Sequence, residues 1–143
     1  MYILDTNVVS ELRKIRAGKA DRHVAQWADS VDAISLYLSA IIIQELEIGV
    51  LLAERRDADQ VAILRDWFDK QVLPAFSGKI LNVDTVVAKR SAMLHVPNPR
   101  PVRDGLIAAT ALVHGMTVVT RNVVDFASTG VKIVNPFESP ESP

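Results

Sequence analysis

The sequence contains no cysteine. That one absence removes disulfide scaffolds, thiol nucleophiles and cysteine-ligated zinc together, and it accords with a reducing compartment. Neither sign of charge is in excess: 16 Lys and Arg face 17 Asp and Glu, a formal net charge of -1. The balance excludes a globally basic nucleic-acid coat and an acidic solvating chain. No apolar run approaches the ~20 residues needed to cross a bilayer. The start, Met1-Tyr2-Ile3-Leu4-Asp5, has no basic region and meets an acid at once, unlike a signal peptide. The expectation is a cytoplasmic protein with no membrane partner. The three histidines, His23, His95 and His114, stand in no metal-binding pattern.

What is present is core material. With 143 residues, 49% of them apolar and 23% charged, the chain suits one packed domain, expected over residues 1–137. A polar, proline-bearing tail follows at 138–143. Short apolar runs at 2–4, 36–38, 79–83, 117–119 and 131–134 read as strands. Helical spacing of apolar residues marks 7–14, 21–31, 40–54 and 61–72, the last expected to stop at Pro74. Further helices are expected at 84–95 and from Asp104 to His114, with a rigid proline loop between them at 97–101. Ser39 suits the N-cap of the third helix and Gly115 the end of the last. Strands alternating with helices imply an α/β fold of three layers, α/β/α, around a mostly parallel sheet.

Ligands of such sheets bind beyond the carboxyl ends of the strands, and acids recur there. Asp5 follows the first strand, Glu45 lies in the second turn of the helix after the second, and Asp104 opens the buried helix after the proline loop. Thr120-Arg121-Asn122 follows the fourth strand, with Asp125 just beyond. Taken singly, each acid has a plain structural use: Asp5 or Thr6 as an N-cap, Glu45 as a solvated helix residue, Asp104 as a cap or helix-dipole partner, Asp125 in a surface turn. Taken together, carboxylates gathered at one edge repel unless a cation sits among them. Oxygen ligands without His or Cys select Mg²⁺, with Mn²⁺ as a possible substitute. An ion so held lowers the pKa of a bound water and stabilises charge on an attacked phosphate.

Four segments then match a known pattern: Asp5-Thr6-Asn7-Val8, Ser39…Glu45…Gly49, Asp104-Gly105-Leu106-Ile107-Ala108-Ala109-Thr110-Ala111, and Thr120-Arg121-Asn122…Asp125-Phe126. Their order and spacing resemble the PIN-domain family, and more closely the VapC/FitB-type toxins of bacterial type II toxin–antitoxin modules. The resemblance runs over essentially the whole chain. It implies a Mg²⁺-dependent ribonuclease and a cognate antitoxin that inserts a segment into the active-site groove. Binding to DNA would be indirect, through that antitoxin. Asp5, Glu45 and Asp104 match three acidic ligands. Many members carry an acid directly after Thr-Arg, where this chain has Asn122; Asn122 and Asp125 are the candidates for the fourth position. Asp5 and Asp104 are expected to hold the metal, with Glu45 ligating it or orienting the attacking water. Thr6, Asn7 and Thr120 would donate to these groups. In-line attack would leave a 5′-phosphate and a 3′-hydroxyl.

Cations flank the acids. Arg13, Lys14, Arg16, Lys19 and Arg22 put five charges in ten residues, and Arg100, Arg103 and Arg121 lie beside the acidic motifs. They are candidate RNA contacts or antitoxin contacts, or, for the 13–22 run, a solvated face. The apolar faces of the 40–54 and 61–72 helices suit a homodimer and an antitoxin, or an ordinary core. Two other functions compete: an inactive PIN-like binding module, favoured by Asn122, and a phospho-accepting α/β signalling domain. The second normally carries an adjacent acidic pair and a late Lys, and neither is in place here.

Overall fold

The computed structural model describes residues 1–139. Along the chain run β1 (Tyr2–Leu4), α1 (Thr6–Leu12), α2 (Arg22–Ser30), β2 (Leu36–Ser39), α3 (Ala40–Arg56) and α4 (Ala58–Trp67). Then come α5 (Leu73–Ala75), β3 (Ile80–Leu81), α6 (Thr85–Leu94), α7 (Val102–His114), β4 (Thr117–Val119), α8 (Val123–Phe126) and β5 (Ile133–Val134). All strand pairs are parallel and the order is β3-β2-β1-β4-β5. The expected α/β fold is observed, and its sheet is parallel throughout.

Burial of the central strands explains the layering. Successive strand residues point to opposite faces, yet Ile3 and Leu4 are both fully buried, as are Val118 and Val119. Both faces of the sheet are therefore covered by helices, which is why these strands read as continuous apolar runs rather than alternating ones. Ile42, Leu46 and Val50 of α3 join the same core, together with Phe68, Ile107 and Phe126. Each such side chain contributes roughly 1.5–3 kcal/mol on leaving water. On α2, Trp27 meets Tyr2 edge-on, with ring centroids 5.5 Å apart.

Two expected boundaries change. Pro74 does not end the fourth helix. The chain passes from α4 into a wide π turn over Phe68–Val72 and on through α5, leaving the helical path only at Phe76. Leu73 N–H donates to Phe68 O across that turn, so the ladder has already changed register where the proline lacks a donor. The buried helix starts at Val102, two residues before Asp104, because Pro101 takes the N-cap position and its carbonyl accepts from Gly105 N–H at 3.2 Å. Asp104 thus stands inside the first turn, where the helix dipole favours a carboxylate. The outer strands β3 and β5 are also shorter than expected, two residues each. Of the polar 138–143 tail, residues 140–143 lie outside the described residues. Among those described, no helix is long and apolar enough to cross a membrane.

Candidate active site

The strand order places β1 at the centre with β2 on one side and β4 on the other. Connections leave β1 toward β2 and β3, then cross back to β4. The point beyond the carboxyl ends of β1 and β4 is therefore the switch point where open parallel sheets bind ligands. Asp5 emerges there from β1, and Thr120 from β4.

Asp5 has no solvent exposure, so its charge must be answered locally. Its Oδ1 accepts the Thr6 N–H at 2.8 Å, which also makes it the N-cap of α1. The structural and the functional readings of Asp5 thus coexist in one residue. Its Oδ2 accepts the Thr120 hydroxyl at 2.7 Å and faces Asn7 Nδ2 at 3.4 Å. Thr120, also fully buried, accepts the Asn122 N–H at 2.9 Å. Asn7 Oδ1 accepts the Arg121 N–H at 3.2 Å, tying the loop after β4 to α1. Glu45 is delivered by the second turn of α3, which Ser39 caps by accepting the Ile41 N–H. Its Oε1 accepts the Thr6 hydroxyl at 2.8 Å. The three expected supporting residues, Thr6, Asn7 and Thr120, therefore all touch the acids or each other.

Arg103 occupies the middle of the cluster. Nε donates to Glu45 Oε2 at 2.7 Å, Nη1 to Asp104 Oδ1 at 2.9 Å, and Nη2 to Asp5 Oδ1. Its side chain is 29% exposed, that of Glu45 30% and that of Asp104 9%. Burial pulls the guanidinium pKa down, but the hydrogen bond to Glu45 and the charge of Asp5 outweigh it, and Arg103 stays charged at any working pH. The expectation that Arg103 faces RNA is thus corrected: it turns inward. Three carboxylates and one guanidinium leave two negative charges unanswered.

The other cations divide. Arg100 is not free to meet a phosphate; it donates to Leu94 O at 2.8 Å and Ser128 Oγ at 3.2 Å, pinning the proline loop. Arg13 lies 5.5 Å over the Trp67 ring and Lys14 pairs with Glu11 at 3.1 Å. Both are exposed, as is Arg16. Arg121, also exposed, stacks 3.9 Å over Phe137. Asn122 and Asp125 are exposed, and neither side chain hydrogen-bonds to the acidic cluster among the described residues. What sequence reasoning missed was the role of Arg103, named as a flanking cation and not as the partner of the three acids. Arg103 directly precedes Asp104 in a first helical turn, where its side chain reaches the same edge.

Donor chemistry at this edge, three carboxylates with hydroxyl and amide support and no His or Cys, suits a hard divalent cation. With Arg103 among them the three acids are arranged around a guanidinium, and among the described residues no group of three His, Cys, Asp or Glu is set out as a ready metal site.

A parallel α/β/α sandwich with acids from three separate segments at its switch point defines a site-bearing class rather than a bare fold. The chain belongs to the PIN-domain family, whose model matches residues 2–132. It is 38% identical over 143 residues to a VapC ribonuclease of Sinorhizobium fredii, covering 96% of this chain and 99% of that protein. It is 37% identical over 142 residues to the toxin FitB of Neisseria gonorrhoeae, covering 96% and 99%. Among solved structures it is similar to a chain of FitAB bound to a DNA fragment, with a TM-score of 0.89 and 33% identity over the whole of both chains.

Proposed function

We propose that this protein is a divalent-metal-dependent ribonuclease, the toxin of a toxin–antitoxin pair, with Mg²⁺ as the natural ion and Mn²⁺ as a substitute. One observation carries the reading. Asp5, Glu45 and Asp104, far apart in sequence, converge at the sheet's carboxyl edge with charge left over. The names of the relatives, ribonuclease and toxin, support the same reading.

In this mechanism Asp5, Asp104 and Glu45 would hold the ion, which would supply a water of lowered pKa and stabilise charge on the phosphate. The chain's own residues set the geometry. Thr6 N–H and the Thr120 hydroxyl fix both oxygens of Asp5, and the Thr6 hydroxyl fixes one oxygen of Glu45. Glu45 is the most exposed of the three acids, and in this reading its carboxylate either ligates the ion or takes a proton from the attacking water once Oε2 is free of Arg103 Nε. Exposed Arg13, Lys14, Arg16 and Arg121 are the remaining candidates for phosphate contacts.

Apolar Ile48, Leu51 and Leu52 on α3 and Ile63 on α4 are exposed. They support the antitoxin surface and homodimer expected from these helices, and a similar chain solved in a toxin–antitoxin complex from Klebsiella pneumoniae supports a partner of that kind. Contact with DNA then runs through the antitoxin.

Purified Asp5→Asn and Asp104→Asn variants, assayed with RNA and Mg²⁺, are expected to lose at least about a hundredfold in cleavage. Undiminished cleavage by either folded variant would overturn the assignment. The inactive binding module keeps one observation in its favour: among the described residues no fourth acid joins the cluster. A divalent-ion titration read by melting temperature separates the two, since an ion that relieves carboxylate repulsion stabilises the native state. No shift favours the binding module.

A further inference from the structure

Arg103 spends all three of its nitrogen positions on three different carboxylates, one oxygen from each. An arginine serving a single ion pair presents a two-nitrogen fork to one acid. This one bridges the residue that follows β1, α3 and its own helix, from a side chain that still borders water at 29% exposure. A Mg²⁺ ion takes oxygens at about 2.0–2.1 Å around a single point. Two of the guanidinium's contacts are 2.7 and 2.9 Å long, and its nitrogens are themselves spread around a central carbon. The three oxygens cannot close on an ion while that group stands between them.

We propose that Arg103 is an exchangeable internal counter-cation: it holds the three carboxylates in register without metal, and leaves the cluster when a divalent cation enters. The inference rests on the metal-dependent reading above and adds a control to it. Arg103 lies in the first turn of α7 and at the water boundary, so it exits by rotating its own side chain, with no change in the backbone. Its departure returns Glu45 Oε2, otherwise held by Arg103 Nε, to the reaction. Apparent metal affinity is then the intrinsic affinity scaled by the fraction of molecules with Arg103 out.

The test needs no RNA. Mn²⁺ and Mg²⁺ are titrated by calorimetry into the wild-type protein, Arg103→Gln and Arg103→Lys. If the cluster is open in at most about one molecule in ten, Arg103→Gln binds at least about tenfold more tightly than wild type. Arg103→Lys falls between them, because one ammonium bridges fewer acids. In the wild-type protein, the nuclear magnetic resonance signal of the Arg103 Nε–H moves or broadens as metal is added, and this arm stands even if Arg103→Gln fails to fold. Equal or weaker binding by Arg103→Gln, or an Nε–H signal unmoved at saturating metal, overturns the exchange while leaving the nuclease reading intact. Metal binding by neither wild type nor variant overturns both.

Discussion

Alanine at Gly105 adds one methyl group where α7 packs against α6. A Cβ built there stands 2.8 Å from His95 Nε2 and 3.0 Å from Ser91 Oγ. Ordinary contact needs about 3.5–4.0 Å, so a neighbour has to move. Ser91 is buried, and His95 is held through its Nδ1 by the Arg100 N–H at 3.5 Å. Overpacking of this kind costs about 1–3 kcal/mol, while helix propensity favours alanine over glycine by about 1 kcal/mol. The net expectation for Gly105→Ala is a loss of about 0–2 kcal/mol. Gly49 supplies the control. It is exposed within the 17-residue α3, and a Cβ there meets nothing within 4 Å. Only propensity acts, so Gly49→Ala gains about 0.5–1 kcal/mol. The two variants therefore separate by about 0.5–3 kcal/mol, at about 2–4 °C of melting temperature per kcal/mol. Urea and thermal unfolding in metal-free buffer measure it. A Gly105→Ala protein as stable as Gly49→Ala would refute the contact. Because Gly105 follows Asp104 directly, its displacement is also expected to lower cleavage, which Gly49→Ala leaves to other causes.

Thr120→Val keeps the shape of a fully buried residue but removes the hydroxyl that donates to Asp5 and accepts from Asn122 N–H. A loss of about 2 kcal/mol is expected in unfolding, as for a hydrogen bond to a charged group, and a change under a few tenths would contradict the bond. Glu11 predicts a pH effect. The Asp21 N–H at 2.7 Å, then Lys14, hold its carboxyl below the ordinary value. Because the folded value is the lower one, its stabilisation is complete above the carboxylate range and disappears as pH falls through the folded value. Glu11→Gln is therefore less stable than wild type at neutral pH, and the two converge in acid; a constant difference across the titration would count against it.

How much of this was legible follows from the range of each signal. Apolar runs marked the strands because both sheet faces are covered, and helical spacing marked the helices. The β1–α1 and β2–α3 junctions put Asp5 and Glu45 at one edge once the sheet was parallel, the start of α7 brought Asp104 to it, and the proline loop stayed non-helical as its prolines require. The Pro74 boundary was missed because a π turn changes the hydrogen-bond register before the proline, and no periodicity reports that. Asp104 is not the cap it was offered as, because Pro101 starts the helix earlier, and it takes the helix-dipole position instead. Asn122 and Asp125 share a motif with Thr120, yet only Thr120 points inward, a matter of loop geometry after β4.

By itself, then, the sequence determined the alternation of elements, the oxygen-only donor set and the order of acids along the chain, since these depend on residue type and short-range spacing. Only the tertiary structure decided which cation answers those acids. Arg103 is one of 16 basic residues and adjoins Asp104 in sequence, which alone would suggest a local pair. Packing α3 and α7 around β1 brings Glu45 and Asp5, 58 and 98 residues away, to the same guanidinium. A near-neutral charge count describes the whole chain; the field at the site depends on distances of about 3 Å, and folding alone sets those.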